Sequence, residues 1–334
     1  MRALNPFVRA TIDCAPEHVS LVGGKAVGLG SLLRAGQRVP ASFVVTCDAF
    51  ADFVASGDGE GPGTLRDEVR QALADGYDAL CAERQATVTV AVRSSATAED
   101  SRDASFAGQF RTYLGARGTD SVVEQIEQCW ITATSAHVDS YRRDRLNGAD
   151  EHSIAVIVQE LVHARASGVM FTQHPRTGDR SLVVIESSHG LGEAVVGGEV
   201  VPDLFELNKI TGQVHDRRLG TKVVEHLLAE DGGSVQTRPV EPERQQAWSI
   251  SDEEIAALLS MAADLEAALG RGLDIEWAIG STGTEPDEVA LFALQVRPIT
   301  VEVAAGPTST AADKNPIDLV LGRLSRHHGS GAEQ

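Results

Sequence analysis

The sequence predicts an α+β fold, and three observations predict it. Aliphatic, β-branched runs bounded by Gly, Pro, Ser and Asp read as strands over 40–46, 87–97, 154–162, 168–172 and 182–186. Between them, apolar residues recur at helical spacing, as in Leu29, Leu32 and Leu33, in Val122, Ile126, Cys129 and Trp130, and in Ile255, Leu258, Leu259, Ala262, Leu265 and Leu269. The length, 334 residues, suits about two domains or lobes.

The last strands carry the densest chemistry. Residues 273–279 and 288–299 read as a β-hairpin. Side chains alternate faces along a strand, so Asp274 and Glu276 share one face and Gln295 and Arg297 share another, with Ile275, Trp277, Leu294 and Val296 opposite them. Pairing would gather two carboxylates, an amide and a guanidinium. Hard oxygen ligands beside an Arg suit a divalent cation and a polyphosphate. The same residues also suit a surface hairpin with a cross-strand salt bridge.

Taken in order, Gly23-Gly24-Lys25 precedes an apolar helical pattern, which places Lys25 near a helix N-terminus that favours anions. A solvated turn is the alternative, since no Walker A sequence occurs here. The strand over 87–97 delivers Arg93, Ser94, Ser95 and Thr97 into a small, acidic loop over 98–108, which suits a phosphate cover. A helix is expected over 122–145, and His137 within it is given no role. Residues 220–246 read as irregular. Ser251 and Glu254 form a capping box before the helix ending at Gly270.

The formal net charge is −19, which argues against a nucleic-acid or anionic-membrane surface as the main partner. The four cysteines, Cys14, Cys47, Cys81 and Cys129, show no Cys-x-x-Cys spacing and suit a reducing compartment. No run reaches transmembrane length and no secretory signal opens the sequence, so a cytoplasmic location is expected.

Several motifs in one order carry a family resemblance: 23–30 (GGKAVGLG), 91–100 (AVRSSATAED), 105–109 (SFAGQ), 159–162 (QELV), 167–172 (SGVMFT), 190–193 (GLGE), 274–277 (DIEW) and 294–299 (LQVRPI). Together they resemble the N-terminal ATP-binding domain of the pyruvate phosphate dikinase, phosphoenolpyruvate synthase and rifampin phosphotransferase family. The resemblance implies an ATP-grasp-type fold of two lobes with ATP in the cleft between them. We expect a first lobe over 1–115, a second over 116–303 and a flexible tail over 304–334.

By the same resemblance, Lys25 and Arg93 hold the ATP phosphates from the first lobe, Arg297 acts on the transferring phosphates, and Thr112 is a further ATP-binding residue. Gln159, Glu160, Leu161 and Val162 form the adenine hinge. Glu276 and Gln295 ligate Mg²⁺, with Asp274 close by. Three positions depart from the family pattern: Arg111 stands where an acid is usual, His189 where Trp is common, and Leu273 where Gln is common.

The family's swivelling domain carries a phosphate-accepting His in a Gly-rich motif, and that motif is absent from this sequence. His327 and His328 lie in the expected tail. The resemblance then implies the ATP-binding subunit of a split phosphotransferase similar to phenylphosphate synthase. A second polypeptide would carry the phosphohistidine and phosphorylate a phenol, an antibiotic or pyruvate. The alternatives are a stand-alone ATP-binding regulatory module and an ATP-grasp ligase.

Overall fold

A computed structural model describes residues 5–57, 63–97, 112–136, 153–229, 232–283 and 285–299. Two antiparallel sheets dominate it, both within the compact unit formed by residues 1–300. The first contains β1 (Val8–Ala10), β2 (Ser42–Val45), β3 (Thr89–Ala96), β4 (Thr112–Arg117) and β5 (Ile154–Glu160), in the order β1-β2-β5-β3-β4. Helices α1 (Val19–Arg34), α2 (Cys47–Ala55), α3 (Asp67–Arg84) and α4 (Thr119–Ala136) accompany it. Alternation on β3 sends Val90 and Val92 into a core with Phe53, Leu73, Ile126 and Trp130, under α2, α3 and α4. Ala91, Arg93 and Ser95 therefore face the other way. The strand β5 joins this sheet from beyond the residue-115 boundary expected for the first lobe.

Only Leu161 separates β5 from β6 (Val162–Phe171), so the chain passes directly from one sheet into the other. The second sheet adds β7 (Leu182–His189), β8 (Asp203–Asn208), β9 (Val214–Arg218), β12 (Leu273–Thr282) and β13 (Glu285–Pro298), in the order β13-β12-β6-β7-β8-β9. A separate hairpin pairs β10 (Val224–Leu228) with β11 (Val235–Pro239). Three helices follow the β7 and β11 strands: α5 (Glu193–Val196), α6 (Pro242–Gln245) and α7 (Asp252–Leu269). Along α7, Ile255, Leu258, Met261, Ala262 and Leu265 pack on Met170, Ile185, Phe205, Ile275 and Trp277. The expected capping box starts this helix: Glu254 N donates to Ser251 Oγ at 3.3 Å, and Ser251 N to Glu254 Oε2 at 2.8 Å. The expected α+β class is what the chain adopts.

Two expectations need correction. The region over 220–246 is not irregular, because it contains β10 and β11. Its strand signal is masked by polar residues buried through pairing: Arg244 clasps Glu225 with two bonds of 2.6 and 2.9 Å. The second concerns Leu294. Glu276 pairs with Gln295 but Trp277 pairs with Ala293, so Leu294 is the extra residue of a β-bulge. The bulge turns Leu294 towards Ala278 and Phe292 instead of away from Gln295.

The loop over 98–108, Arg111, His137 and the expected tail over 304–334 lie outside the described residues. His189 is buried, and its Nε2 sits 3.0 Å from the Arg244 carbonyl. Burial lowers its pKa, which keeps the ring neutral with Nε2–H donating. Leu273 packs in the core against α7, with its N–H donating to Thr172 Oγ1 at 2.9 Å. No helix among the described residues is long and apolar enough to cross a membrane.

Candidate functional site

Lys25 is placed by a break in α1. Gly23 has φ 74° and ψ 167°, a region that essentially only glycine occupies. A Cβ there would lie 2.2 Å from the Ser95 carbonyl oxygen, so α1 and β3 touch backbone to backbone. Ser95 Oγ donates to Val22 O at 2.9 Å and accepts from Ala26 N at 3.2 Å, spanning the break as a cap supplied from another strand. The helix thus begins earlier than the glycines, at Val19, and restarts after Gly23. Lys25 Nζ donates to Ser94 O at 3.3 Å. We expect Gly23→Ala to lose at least about 2 kcal/mol of stability from the backbone conformation and the clash. Chemical denaturation would check this.

Arg93 projects from β3 towards the second sheet. Its Nη2 donates to Glu276 Oε2 at 2.8 Å and to Gln295 Oε1 at 3.1 Å. Thr112 pairs directly with Arg93 across β3 and β4 and so shares its face. On β12 and β13, Asp274 pairs with Arg297 and Glu276 with Gln295, as alternation predicts. Arg297 Nε donates to Asp274 Oδ2 at 2.8 Å, the cross-strand bridge of the alternative surface reading. That reading does not account for Glu276 and Gln295, the first part-buried and the second buried, which both accept from an Arg of the other sheet. Lys25, Arg93, Asp274, Glu276, Gln295 and Arg297 are brought together.

The electrostatics separate the carboxylates. Burial alone would raise the Glu276 pKa, but Arg93, by charge and hydrogen bond, outweighs it with help from Lys25 and Arg297, and holds it below the usual value. Asp274 goes the other way: burial raises its pKa against the pull of Arg297, and Glu276 adds to the rise. A third carboxylate, Glu186 on β7, is also raised by burial and then by Asp274, while Arg176 lowers it. Sequence reasoning missed Glu186, although alternation along β7 carries the signal. It sits in one cross-strand row with Val169, Glu276 and Gln295.

Beside this charged end lies an apolar cluster. Ala91, Leu161, Val162, Ala278, Leu191 and Phe292 pack together in it, drawn from both sheets, the residue joining them and the stretch after β7. Ala91 is two residues from Arg93 on the same face of β3. Gln159 pairs with Ala91, is buried, and its Nε2 has no hydrogen-bond partner. Glu160 points to the opposite face, where Arg84 holds it at 3.0 Å. The Glu160 and Leu161 N–H groups donate to Ala41 O and Thr89 O. The Gln159 amide is therefore the unpartnered donor that this stretch turns towards the cluster. A cavity of about 370 Å³ opens between α1 and the end of β13, with Lys25, Gln295 and Arg297 among its walls.

Two side-chain oxygens, one from Glu276 and one from Gln295, converge on a single cationic atom, Arg93 Nη2. That convergence fits a divalent cation, which favours such hard oxygens. Among the described residues no group of three or more Asp, Glu, His or Cys side chains could hold a metal by itself. A Mg²⁺ with one or two protein ligands would complete its shell from phosphate oxygens.

Residues 61–316 match the family model for the pyruvate phosphate dikinase AMP/ATP-binding domain. The chain belongs to this family. This dikinase-type ATP-binding domain is 35% identical over 317 residues to a probable phosphoenolpyruvate synthase of Archaeoglobus fulgidus, covering 86% of this chain and 41% of that protein. It is 38% identical over 293 residues to the prodigiosin synthesizing transferase PigC of Serratia marcescens, covering 84% and 32%. With the rifampicin phosphotransferase of Streptomyces sviceus it shares 37% over 292 residues, covering 78% and 33%. The domain thus spans less than half the length of each of these relatives.

Proposed function

We propose that this chain binds Mg²⁺-ATP between its two sheets and passes a phosphoryl group to a histidine carried outside the domain described here. The observation that carries this reading is the meeting of Arg93 with Glu276 and Gln295, next to an apolar cluster and the buried, unpartnered Gln159 amide. A purine base lying against this cluster would meet aliphatic side chains, with Gln159 reading its edge. Lys25, Arg93 and Arg297 would then face the phosphates, with Thr112 beside Arg93. Catalysis of phosphoryl transfer rests on positioning and charge neutralisation, which three cations from α1, β3 and β13 supply. Glu276 and Gln295 would hold Mg²⁺, with Asp274 nearby, and the metal would add Lewis-acid charge on the phosphate oxygens. The Asp274–Arg297 pair holds the guanidinium in place.

In this reading a second polypeptide bears the phosphohistidine and the acceptor pocket. The names of the relatives support transfer as the task, and their different products leave the acceptor to that partner. The test is the isolated chain given Mg²⁺-ATP with and without a His-bearing partner. Phosphorylated partner histidine is expected, and no phosphorylated product without the partner. An acyl phosphate and ADP made by this chain alone would overturn the proposal.

Lys25→Ala is expected to weaken ATP binding about 10- to 100-fold, the worth of a hydrogen bond to a charged group. Calorimetric titration reads this directly. An unchanged dissociation constant would make Lys25 a structural residue tying α1 to the Ser94 carbonyl.

A further inference from the structure

The apolar cluster against which the base would lie is shut. Ala91, Leu161, Val162, Leu191, Ala278 and Phe292 are each buried, so side chains already fill the space beside Gln159. Part of their cover comes from the β10–β11 hairpin. Leu228 and Val235 face each other as its last cross-strand pair and pack on the cluster, as does Leu114 of β4.

The two ends of this hairpin are held differently. At the base, Lys222 and Asp203 form a fully buried ion pair, Arg244 clasps Glu225, and the Leu191 N–H donates to His226 O at 2.8 Å. These partners come from β8, α6 and the stretch after β7, all on the side of the second sheet. At the tip the hairpin reaches the first sheet. A Cβ on Gly232 would lie 2.9 Å from Thr89 Oγ1, and one on Gly115 of β4 would lie 3.2 Å from Gly233 C and Ser234 Cα. Both glycines have positive φ, 71° and 87°, which glycine adopts without strain. At these two points the tip meets the sheet through glycine main chain, which parts without unthreading a side chain. The turn also closes hydrogen bonds of its own, Ala229 N to Ser234 O and Gly232 N to Ala229 O, both 2.8 Å, and keeps them when it lifts.

We propose that the β10–β11 hairpin is a strap tying the two sheets over the cluster, and that a nucleotide base reaches the cluster only when the tip comes away from Thr89 and Gly115. The proposal rests on the nucleotide reading above and concerns how that site is entered. Leu228 and Val235 leave with the tip, which uncovers aliphatic surface for the base. An element anchored at one end and seated on glycines at the other opens locally, below the free energy of global unfolding.

The test locks the tip. The 2.9 Å approach of Gly232 to Thr89 puts cysteines at these two positions within disulfide reach. Stopped-flow association of a fluorescent, non-hydrolysable ATP analogue is measured on Thr89→Cys/Gly232→Cys before and after reduction. The oxidised chain is expected to associate about tenfold or more slowly, and the reduced chain at the wild-type rate. Equal rates, with the disulfide confirmed by intact mass, overturn the strap and leave the nucleotide reading standing. A wild-type chain that does not bind the analogue overturns the nucleotide reading and the strap's role with it. Where no disulfide forms, hydrogen exchange of the wild type decides. The amides of Leu227, Leu228 and Val235 are expected to exchange faster than those of β12 and to slow when the analogue binds; the absence of either behaviour overturns the proposal.

Discussion

Glu276→Gln is expected to cut Mg²⁺-dependent phosphoryl transfer by about a hundred- to a thousandfold, the scale of removing a preorganised charge partner from a transition state. The substitution keeps shape, and its amide oxygen can still accept from Arg93, so the two sheets stay tied and the fold survives. What is lost is the anionic oxygen that shares a focal point with Gln295. Single-turnover rates with a His-bearing partner measure the effect, and Mn²⁺ titration shows whether metal affinity falls with it. A wild-type rate would remove Glu276 from the metal and leave it as a structural partner of Arg93.

The carboxylates of the site respond to acid in opposite ways. Glu276 has a lowered pKa, so its stabilising charge is fully present above the ordinary glutamate value and is lost only as pH falls through the lower folded value. Asp274 and Glu186 have raised values, so protonation of either favours the folded chain. Glu186 and Glu276 start from the same ordinary value and are shifted apart, so acid discharges Glu186 before Glu276.

Much of this site was legible from alternation alone. Asp274, Glu276, Gln295 and Arg297 fall where a period of two puts them, because the antiparallel ladder is unbroken from Leu273 to Glu276 and from Gln295 to Pro298. The capping box at Ser251 was legible for the same kind of reason, since its signal is local. Leu294 was not, because a bulge shifts the period by one residue and nothing in the composition marks it. Glu160 was misleading in another way. Its neighbours Leu161 and Val162 belong to the apolar cluster, but its carboxylate pairs with Arg84 on α3, a partner distant in sequence that no local pattern reveals. Gly23 was ambiguous because two adjacent glycines suit a solvated turn as well as a broken helix. Only the close approach of Ser95 decides between them. Glu186 escaped notice because one acid ending an aliphatic run looks like the edge of a strand, until the register sets it in one row with Glu276, across Val169.

Arg93→Ala tests the tie between the sheets from the other side. Arg93 and Glu276 are only 15% and 19% exposed, so removing the guanidinium leaves a largely buried carboxylate without its main partner. Breaking such a pair from one side costs about 3–5 kcal/mol. With Arg93 gone, burial becomes the leading influence on Glu276 and its pKa rises. The stability gap to wild type should then narrow as pH falls and Glu276 accepts a proton. A divalent cation offers the same relief at neutral pH, because Glu276 and Gln295 present oxygens to one point. Added Mg²⁺ should therefore raise the melting temperature of Arg93→Ala by more than it raises that of the wild type. Nucleotide affinity should not recover alongside, since the phosphates have lost a cation of their own. Equal Mg²⁺ shifts in the two proteins would mean that Glu276 and Gln295 bind the guanidinium but not a metal, and the site would then lack its metal-binding half.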